Sequence, residues 1–149
     1  MQKPLANQIF YKFIGTWKLI KCIEINSQGN QFYPWGEDAI GYISYSPAGI
    51  MAVQIMRRNR KLPNEKDITK EKFEQEYEIE KDYSAYFGPF EIDETNTTVI
   101  HIVEGHLNPS MIGKKNIRTY NFYDDILSLT TVGDIVPRNL IWQKVIPLI

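Results

Sequence analysis

The stretch GYISYSPAGIMAVQIM, residues 41–56, decides the fold, because two alternating segments flank a tight-turn sequence. Pro47 and Gly49 suit a type I turn that is followed by a glycine bulge. If Ser46 pairs with Ile50 across this turn, alternate residues of both segments fall on the same face. The two faces then differ: one is apolar and consists of Ile43, Tyr45, Met51, Val53 and Ile55, and the other carries Tyr42, Ser44, Ala52 and Gln54. The stretch therefore predicts a β-hairpin with one face against a core.

Short β-prone segments recur along the rest of the chain, with turn residues between them. We predict further strands over residues 16–25, 85–93, 98–105, 115–122, 126–132 and 140–146, and a segment over residues 31–35 that breaks at Pro34 and Gly36. A short helix is predicted over residues 5–13 and an amphipathic helix over residues 69–84, where Phe73 and Tyr77 lie four residues apart. Many short strands without β-α-β alternation indicate an all-β sandwich or closed antiparallel barrel of eight to nine strands. No linker, repeat or low-complexity tract interrupts residues 1–149, so we expect one domain.

Charge and cysteine content narrow the classes of partner. The chain has 17 basic and 18 acidic residues, which gives no electrostatic reason to expect nucleic acid or an anionic membrane. Because Cys22 is the single cysteine, neither an intramolecular disulfide nor a cysteine-based metal cluster can form. The N-terminal residues lack a signal-peptide pattern, and no apolar run reaches the roughly 20 residues that span a bilayer. We expect a cytoplasmic monomer or homodimer without cofactor, metal, nucleic-acid partner or membrane partner.

Five sequence blocks resemble, in chain order, those of the lipocalin-like domain family, a group of small bacterial and fungal barrel proteins. The blocks are GTWKL at 15–19, YSPAGIMAVQ at 45–54, YFGPFEID at 86–93, HIVEGHLNP at 101–109 with Gly113 and Arg118, and LIW at 140–142. The family more often has Asp where this chain has Ala48. This resemblance covers about residues 15–145 and implies a lipocalin-like antiparallel barrel with an interior pocket. Some relatives look like partners of biosynthetic enzymes, which keeps a cyclase or isomerase role open.

Among the candidate site residues, His101 is the side chain with the widest range of possible chemical roles. Alternation places it on one strand face with Val99 and Val103, so it could point into an apolar barrel. There it could orient a ligand oxygen or transfer a proton near neutral pH. The alternative is a core histidine whose nitrogens bond to neighbouring hydroxyl groups. Glu104 falls on the opposite face, and two histidines at 101 and 106 are too few ligands for zinc.

Arg118 shares a strand face with Tyr120 and Phe122, and its role depends on which way that face points. An inward guanidinium must be paired, because an unpaired buried charge is unfavourable. Its partner would be Glu91 or Glu104 in a structural ion pair, or the carboxylate of a ligand. An outward Arg118 would be an ordinary surface residue.

The remaining candidates are aromatic and amide side chains that could line a pocket. Aromatic residues make up 13% of the chain, and ligand cavities are often lined by such rings with a few polar groups. Tyr45, Gln54 and Tyr86 could supply those polar groups, and Trp142 is a further candidate contact. Trp17 and Trp142 can also be packing residues, with Trp17 at the closed end of the barrel.

These patterns support three hypotheses. The first is a protein that binds a small, largely apolar or aromatic ligand inside the barrel. The second is an isomerase or cyclase acting on a small hydrophobic metabolite, with His101 as the proton-transfer residue. The third is a structural or interaction module whose barrel is filled by side chains.

Overall fold

Strands make up most of the computed structural model, which describes residues 5–60 and 82–149. In this part of the chain one α-helix, α1 (Leu5–Phe13), precedes ten strands. The strands are β1 (Gly15–Ile25), β2 (Gln31–Phe32), β3 (Ile40–Tyr45), β4 (Ile50–Met56), β5 (Tyr83–Asp93), β6 (Thr98–Ile102), β7 (Gly105–His106), β8 (Lys115–Tyr123), β9 (Ile126–Thr131) and β10 (Arg138–Lys144). A short 3₁₀ helix, Pro109–Met111, lies between β7 and β8.

Eight of these strands close into an antiparallel barrel. They pair in the order β1, β3, β4, β5, β6, β8, β9 and β10, and β10 then pairs with β1. The two short strands are additions, because β2 pairs with β1 and β7 pairs with β5. The predicted antiparallel barrel of eight to nine strands is confirmed.

The hairpin of β3 and β4 has the register that its sequence predicts. The Ser46 N–H group donates to the Ile50 carbonyl oxygen over 2.8 Å, and Tyr45 lies opposite Met51. Gly49 has a φ angle of +81°, which a side chain would disfavour. All five residues of the predicted apolar face are buried, whereas Tyr42 and Gln54 on the other face are exposed.

Helix α1 covers one end of the barrel through a cluster of aromatic rings. Phe13 is fully buried, and its ring meets those of Tyr45, Tyr120 and Phe122 edge-on, with centroids 4.9–5.1 Å apart. The indole N–H of Trp17 donates to the Phe13 carbonyl oxygen over 2.9 Å and so satisfies a carbonyl at the helix end. This end of the barrel is closed by side chains.

The opposite end of the barrel is more open, and we call it the mouth. Several inward-facing residues on this side are only half-buried, namely Ser84, Tyr86, Asn116, Arg118 and Leu140. Glu24 of β1 and Arg138 of β10 form an ion pair here, with Oε1 and Nε 2.6 Å apart. The interior is therefore packed near α1 and accessible to solvent from the mouth.

Several predicted boundaries were wrong. The predicted segment 31–35 forms a strand only at Gln31–Phe32, although its predicted break at Pro34 and Gly36 is correct, because these residues lie in a turn. The predicted strand 98–105 is split into β6 and β7, which pair with different parts of β5. Most of the predicted helix 69–84 lies outside the described residues, but residues 83 and 84 belong to β5. No helix among the described residues is both long and apolar enough to cross a bilayer.

Candidate functional site

A chain of three hydrogen-bonding side chains crosses the interior of the barrel. Tyr45 Oη lies 2.8 Å from His101 Nε2, and Tyr86 Oη lies 2.7 Å from His101 Nδ1. Strands β3, β5 and β6 supply one residue each, and all three side chains face inward. Both ring nitrogens of His101 therefore have a hydroxyl partner inside the protein.

Burial keeps His101 neutral. Its side chain is 1% exposed, and desolvation together with the Arg118 charge lowers its pKa from 6.5 to about 3. Burial also raises the pKa of Tyr45 and of Tyr86, so both hydroxyl groups keep their protons at neutral pH. All three side chains are uncharged. Together they carry two O–H protons and one N–H proton, and two of these three protons lie in the two hydrogen bonds.

The surroundings of Tyr45 determine where those protons lie. Tyr45 is 1% exposed, and its hydroxyl group has no bonding partner other than His101 among the described residues. Its O–H must therefore donate to Nε2, since it would otherwise be a buried donor without an acceptor. A neutral His101 then carries its own proton on Nδ1 and donates it to Tyr86. The Tyr86 O–H is left free to donate to another group.

Two further donors lie beside Tyr86 on strand β8. Burial raises the pKa of Tyr86, and the neighbouring Arg118 and Asn116 side chains partly offset this rise. Arg118 lies on the inner face of β8, between Val99 of β6 and Thr131 of β9, which are both buried. Because Arg118 pairs with these inward-facing residues, its side chain starts on the same inner face. Burial and the Arg118 charge both lower the pKa of His101, and the same charge partly offsets the rise that burial causes in the pKa of Tyr45 and Tyr86.

The expected ion pair of Arg118 with Glu91 or Glu104 does not form. Both carboxylates are exposed on the outer face of the barrel, because they alternate with the inward-facing residues of their segments. Among the described residues no carboxylate lies within 4.0 Å of the Arg118 guanidinium. Its Nη1 atom donates over 3.1 Å to the carbonyl oxygen of the preceding residue, Ile117. An inward arginine is therefore left without a counter-ion in this part of the chain.

Trp142 presents an unused donor inside the barrel. Its side chain is 1% exposed and lies on β10 between Leu19 of β1 and Leu127 of β9. The indole Nε1–H has no acceptor among the described residues. An unsatisfied buried donor costs about 1–3 kcal/mol, so an acceptor from a ligand or a water molecule would be stabilising here.

The sequence profile of the lipocalin-like domain family matches residues 14–145. The chain belongs to this family. No curated protein matches the sequence. Among solved structures, the chain is similar to one described as "As-p18, an extracellular fatty acid binding protein". The two share 14% sequence identity with a TM-score of 0.41, over 90% of this chain and 96% of that chain.

This lipocalin-like barrel brings most, but not all, of the sequence-predicted site residues together. Tyr45, Tyr86 and His101 are in contact, and Arg118 faces the same interior. Gln54 is not part of this group, because its side chain is exposed on the outer face of β4. Side chains alternate between the two faces along each strand of the hairpin, and this alternation already placed Gln54 and Tyr45 on different faces.

Two residues of the site were not predicted from the sequence. Asn116 alternates with Arg118 along β8, and this spacing could have indicated a shared inner face. The ring of His106 stacks on that of Tyr86, with centroids 5.5 Å apart and an interplanar angle of 3°. This contact depends on the short pairing of β7 with β5, which no local pattern indicates.

The two histidines are expected to adopt opposite neutral tautomers. The Asn108 N–H donates to His106 Nδ1 over 2.8 Å, so neutral His106 carries its proton on Nε2. His101 carries its proton on Nδ1 for the reasons given above. Nitrogen-15 NMR of the imidazole rings at neutral pH checks both assignments in one spectrum. Finding Nε2–H on both rings would contradict the proton arrangement of the Tyr45–His101–Tyr86 chain.

Proposed function

We propose that this lipocalin-like protein binds a small, largely apolar or aromatic ligand inside its barrel, through the mouth. The observation that carries the proposal is the half-buried inner surface near the mouth, where the polar groups of Tyr86 and Arg118 lie beside Val53, Val99 and Leu140. Such a combination of an apolar lining with few polar groups is typical of ligand pockets. Membership of the family supports ligand binding in general, and the chemical class of the ligand is part of our proposal.

In this proposal the inner surface has two regions with different roles. Near α1 the packed aromatic cluster closes the barrel. Tyr45 belongs to this cluster, and His101 joins it through hydrogen bonds to Tyr86 nearer the mouth. Near the mouth, Tyr86 and Arg118 orient the polar end of the ligand while apolar side chains such as Leu140 contact its body. Trp142 supplies a second donor for a ligand that reaches deeper into the barrel.

The isomerase or cyclase hypothesis receives less support from this geometry. Proton transfer near neutral pH is most efficient with a group whose pKa is close to the working pH. The pKa of His101 is lowered to about 3, and both of its nitrogens already bond to tyrosines. These features favour a histidine that positions Tyr86. The hypothesis of a barrel filled by side chains agrees with the packed interior near α1. It agrees less well with the half-buried inward residues near the mouth.

Blocking the mouth from inside should abolish binding. Ser84 faces inward near the mouth, opposite buried Ile55, and Ser84→Trp would fill the space that a ligand needs. We expect this variant to bind the neutral probe N-phenyl-1-naphthylamine at least about ten-fold more weakly than the unmodified protein. The measurement is a fluorescence titration with the protein concentration near or below the dissociation constant, and a second titration well above it gives the stoichiometry.

Gln54→Trp is the matched control, because it adds the same ring to the outer face of the neighbouring strand. Its affinity for the probe should equal that of the unmodified protein. Equal loss in both variants, or no loss in either, would show that the probe does not bind inside the barrel. Absence of any saturable binding to the unmodified protein would contradict the proposed function itself.

A further inference from the structure

We propose that the natural ligand is an anion, a carboxylate carried on an apolar body, and that its charged group binds Arg118 together with Tyr86 and Asn116. The inference rests on the proposed function and specifies the chemistry of the same site. Two independent observations support it: the charge balance around Arg118 and the donor character of its neighbours.

The first observation is that, among the described residues, Arg118 has no ion pair, whereas three other arginines do. Arg57 lies 2.8 Å from Asp82, and Arg138 lies 2.6 Å from Glu24. Arg58 is exposed and lies 3.9 Å from Asp38. Arg118 faces the barrel interior, yet it has no carboxylate within 4.0 Å among the described residues. Because the half-buried guanidinium faces the barrel interior without a carboxylate beside it, this position is suited to a ligand that brings the counter-ion.

The second observation is that the side chains next to Arg118 offer hydrogen-bond donors. In the described part of the chain the Tyr86 O–H has no acceptor, because the Tyr86 oxygen bonds to His101 and accepts its Nδ1–H. Asn116 carries an amide NH₂ group beside the same hydroxyl. The guanidinium has four N–H groups besides the one that Ile117 accepts. A set of donors around one positive charge matches a carboxylate, which has only acceptors when ionised.

The surrounding residues indicate what the carboxylate is attached to. Val99, Val103 and Leu129 are buried on the inner faces of β6, the following segment and β9, and Leu140 is half-buried on β10. Of these side chains Leu140 has accessible surface, so the apolar body of a ligand held at Arg118 would contact Leu140. An inorganic anion has no group that gains from this contact, so the site is suited to an amphiphilic acid.

The test compares two probes that differ only in their polar group, decanoate and decanol, by isothermal titration calorimetry. Hydrogen bonds to a charged group contribute about 1.5–3 kcal/mol, so decanoate should bind about 10–100-fold more tightly than decanol. Arg118→Gln should remove this preference by weakening the binding of decanoate far more than that of decanol. Arg58→Gln is the control, because it removes one positive charge from the exposed surface.

The outcomes separate this inference from the proposed function. Equal affinities for decanoate and decanol, or an unchanged preference in Arg118→Gln, would overturn the anion site while barrel binding remains supported. Binding of neither probe would contradict the proposed function and the inference with it. Arg118→Lys is a second variant that keeps the charge but not the guanidinium geometry, and we expect an intermediate preference. Its thermal unfolding midpoint, measured beside that of Arg118→Gln, shows that each variant is folded.

Discussion

Gly88→Ala should lower the free energy of unfolding by about 3 kcal/mol or more, although it adds only one methyl group. An ideal Cβ atom at Gly88 would lie 1.8 Å from the carbonyl oxygen of Ile102 and 2.9 Å from the backbone nitrogen of Glu104. Both neighbours are backbone atoms, so a change of rotamer cannot relieve the overlap. Strand β5 would have to separate from the segment that follows β6.

This close approach is part of the path that the chain takes around the site. After β6 the backbone crosses β5 at Gly88, where the Glu104 N–H donates to the Phe87 carbonyl oxygen over 2.9 Å. Gly105 follows under the ring of the exposed Phe87, which would have to move to admit a Cβ atom. His101 precedes this crossing and Tyr86 lies beside it. A shift of the crossing would therefore move the Tyr86–His101 hydrogen bond as well as reduce stability.

Urea unfolding measures the free energy of unfolding of Gly88→Ala, and Gly29→Ala is the control variant. A Cβ atom at Gly29 would meet nothing within 4 Å, but Gly29 has a φ angle of +81°. Its replacement should cost only the backbone strain, about 1 kcal/mol. A Gly88→Ala variant that is no less stable than Gly29→Ala would show that the crossing can relax. Weakened binding of N-phenyl-1-naphthylamine to folded Gly88→Ala would connect the crossing to the site.

The register of the β3–β4 hairpin could be predicted because its determinants are local. Pro47 and Gly49 set the turn, and the strict alternation of apolar residues allows one register only, since a shift by one residue would expose the whole apolar face. The same alternation predicted that His101 shares a face with Val99 and Val103. These predictions needed no knowledge of distant residues, and the structure confirms them.

The partners of His101 could not be predicted in this way. Tyr45 and His101 are 56 residues apart in sequence, and they meet because β3 and β6 lie on facing parts of the barrel wall. No local pattern specifies which residues lie across a barrel, since that depends on strand tilt and stagger. The sequence therefore indicated the residue types of the site but not the hydrogen bonds between them.

The splitting of the predicted strand 98–105 has a related cause. Residues 98–103 are β-prone, but β7 pairs with a part of β5 nearer the mouth, and glycines at 88 and 105 permit this approach. The orientation of Arg118 was also open from the sequence, because its strand alternates polar and apolar residues on both faces. Only the barrel closure shows that Glu91 and Glu104 lie outside while Arg118 lies inside.

Acidification should destabilise this protein through His101 before its carboxyl groups contribute strongly. The pKa of His101 is about 3 in the folded protein and 6.5 in the unfolded chain. Between these values the unfolded chain binds one proton more, so the free energy of unfolding falls as the pH falls, by up to about 1.4 kcal/mol per pH unit. At about pH 4.5 the loss from this group should be roughly 2–3 kcal/mol relative to neutral pH.

His101→Gln is expected to flatten this dependence, because glutamine does not titrate and can still bond to a tyrosine hydroxyl. Urea unfolding at constant ionic strength, from neutral pH to about pH 4.5, measures the free energy of unfolding in both proteins. His106→Gln is the control: desolvation also lowers the pKa of His106, but this side chain is much less buried, so its removal should change the slope less. An equal acid slope in His101→Gln and the unmodified protein would mean that His101 is protonated in the folded state. In that case Nε2 would carry a proton and could not accept from the Tyr45 O–H, which would contradict the direction assigned to the Tyr45–His101 hydrogen bond.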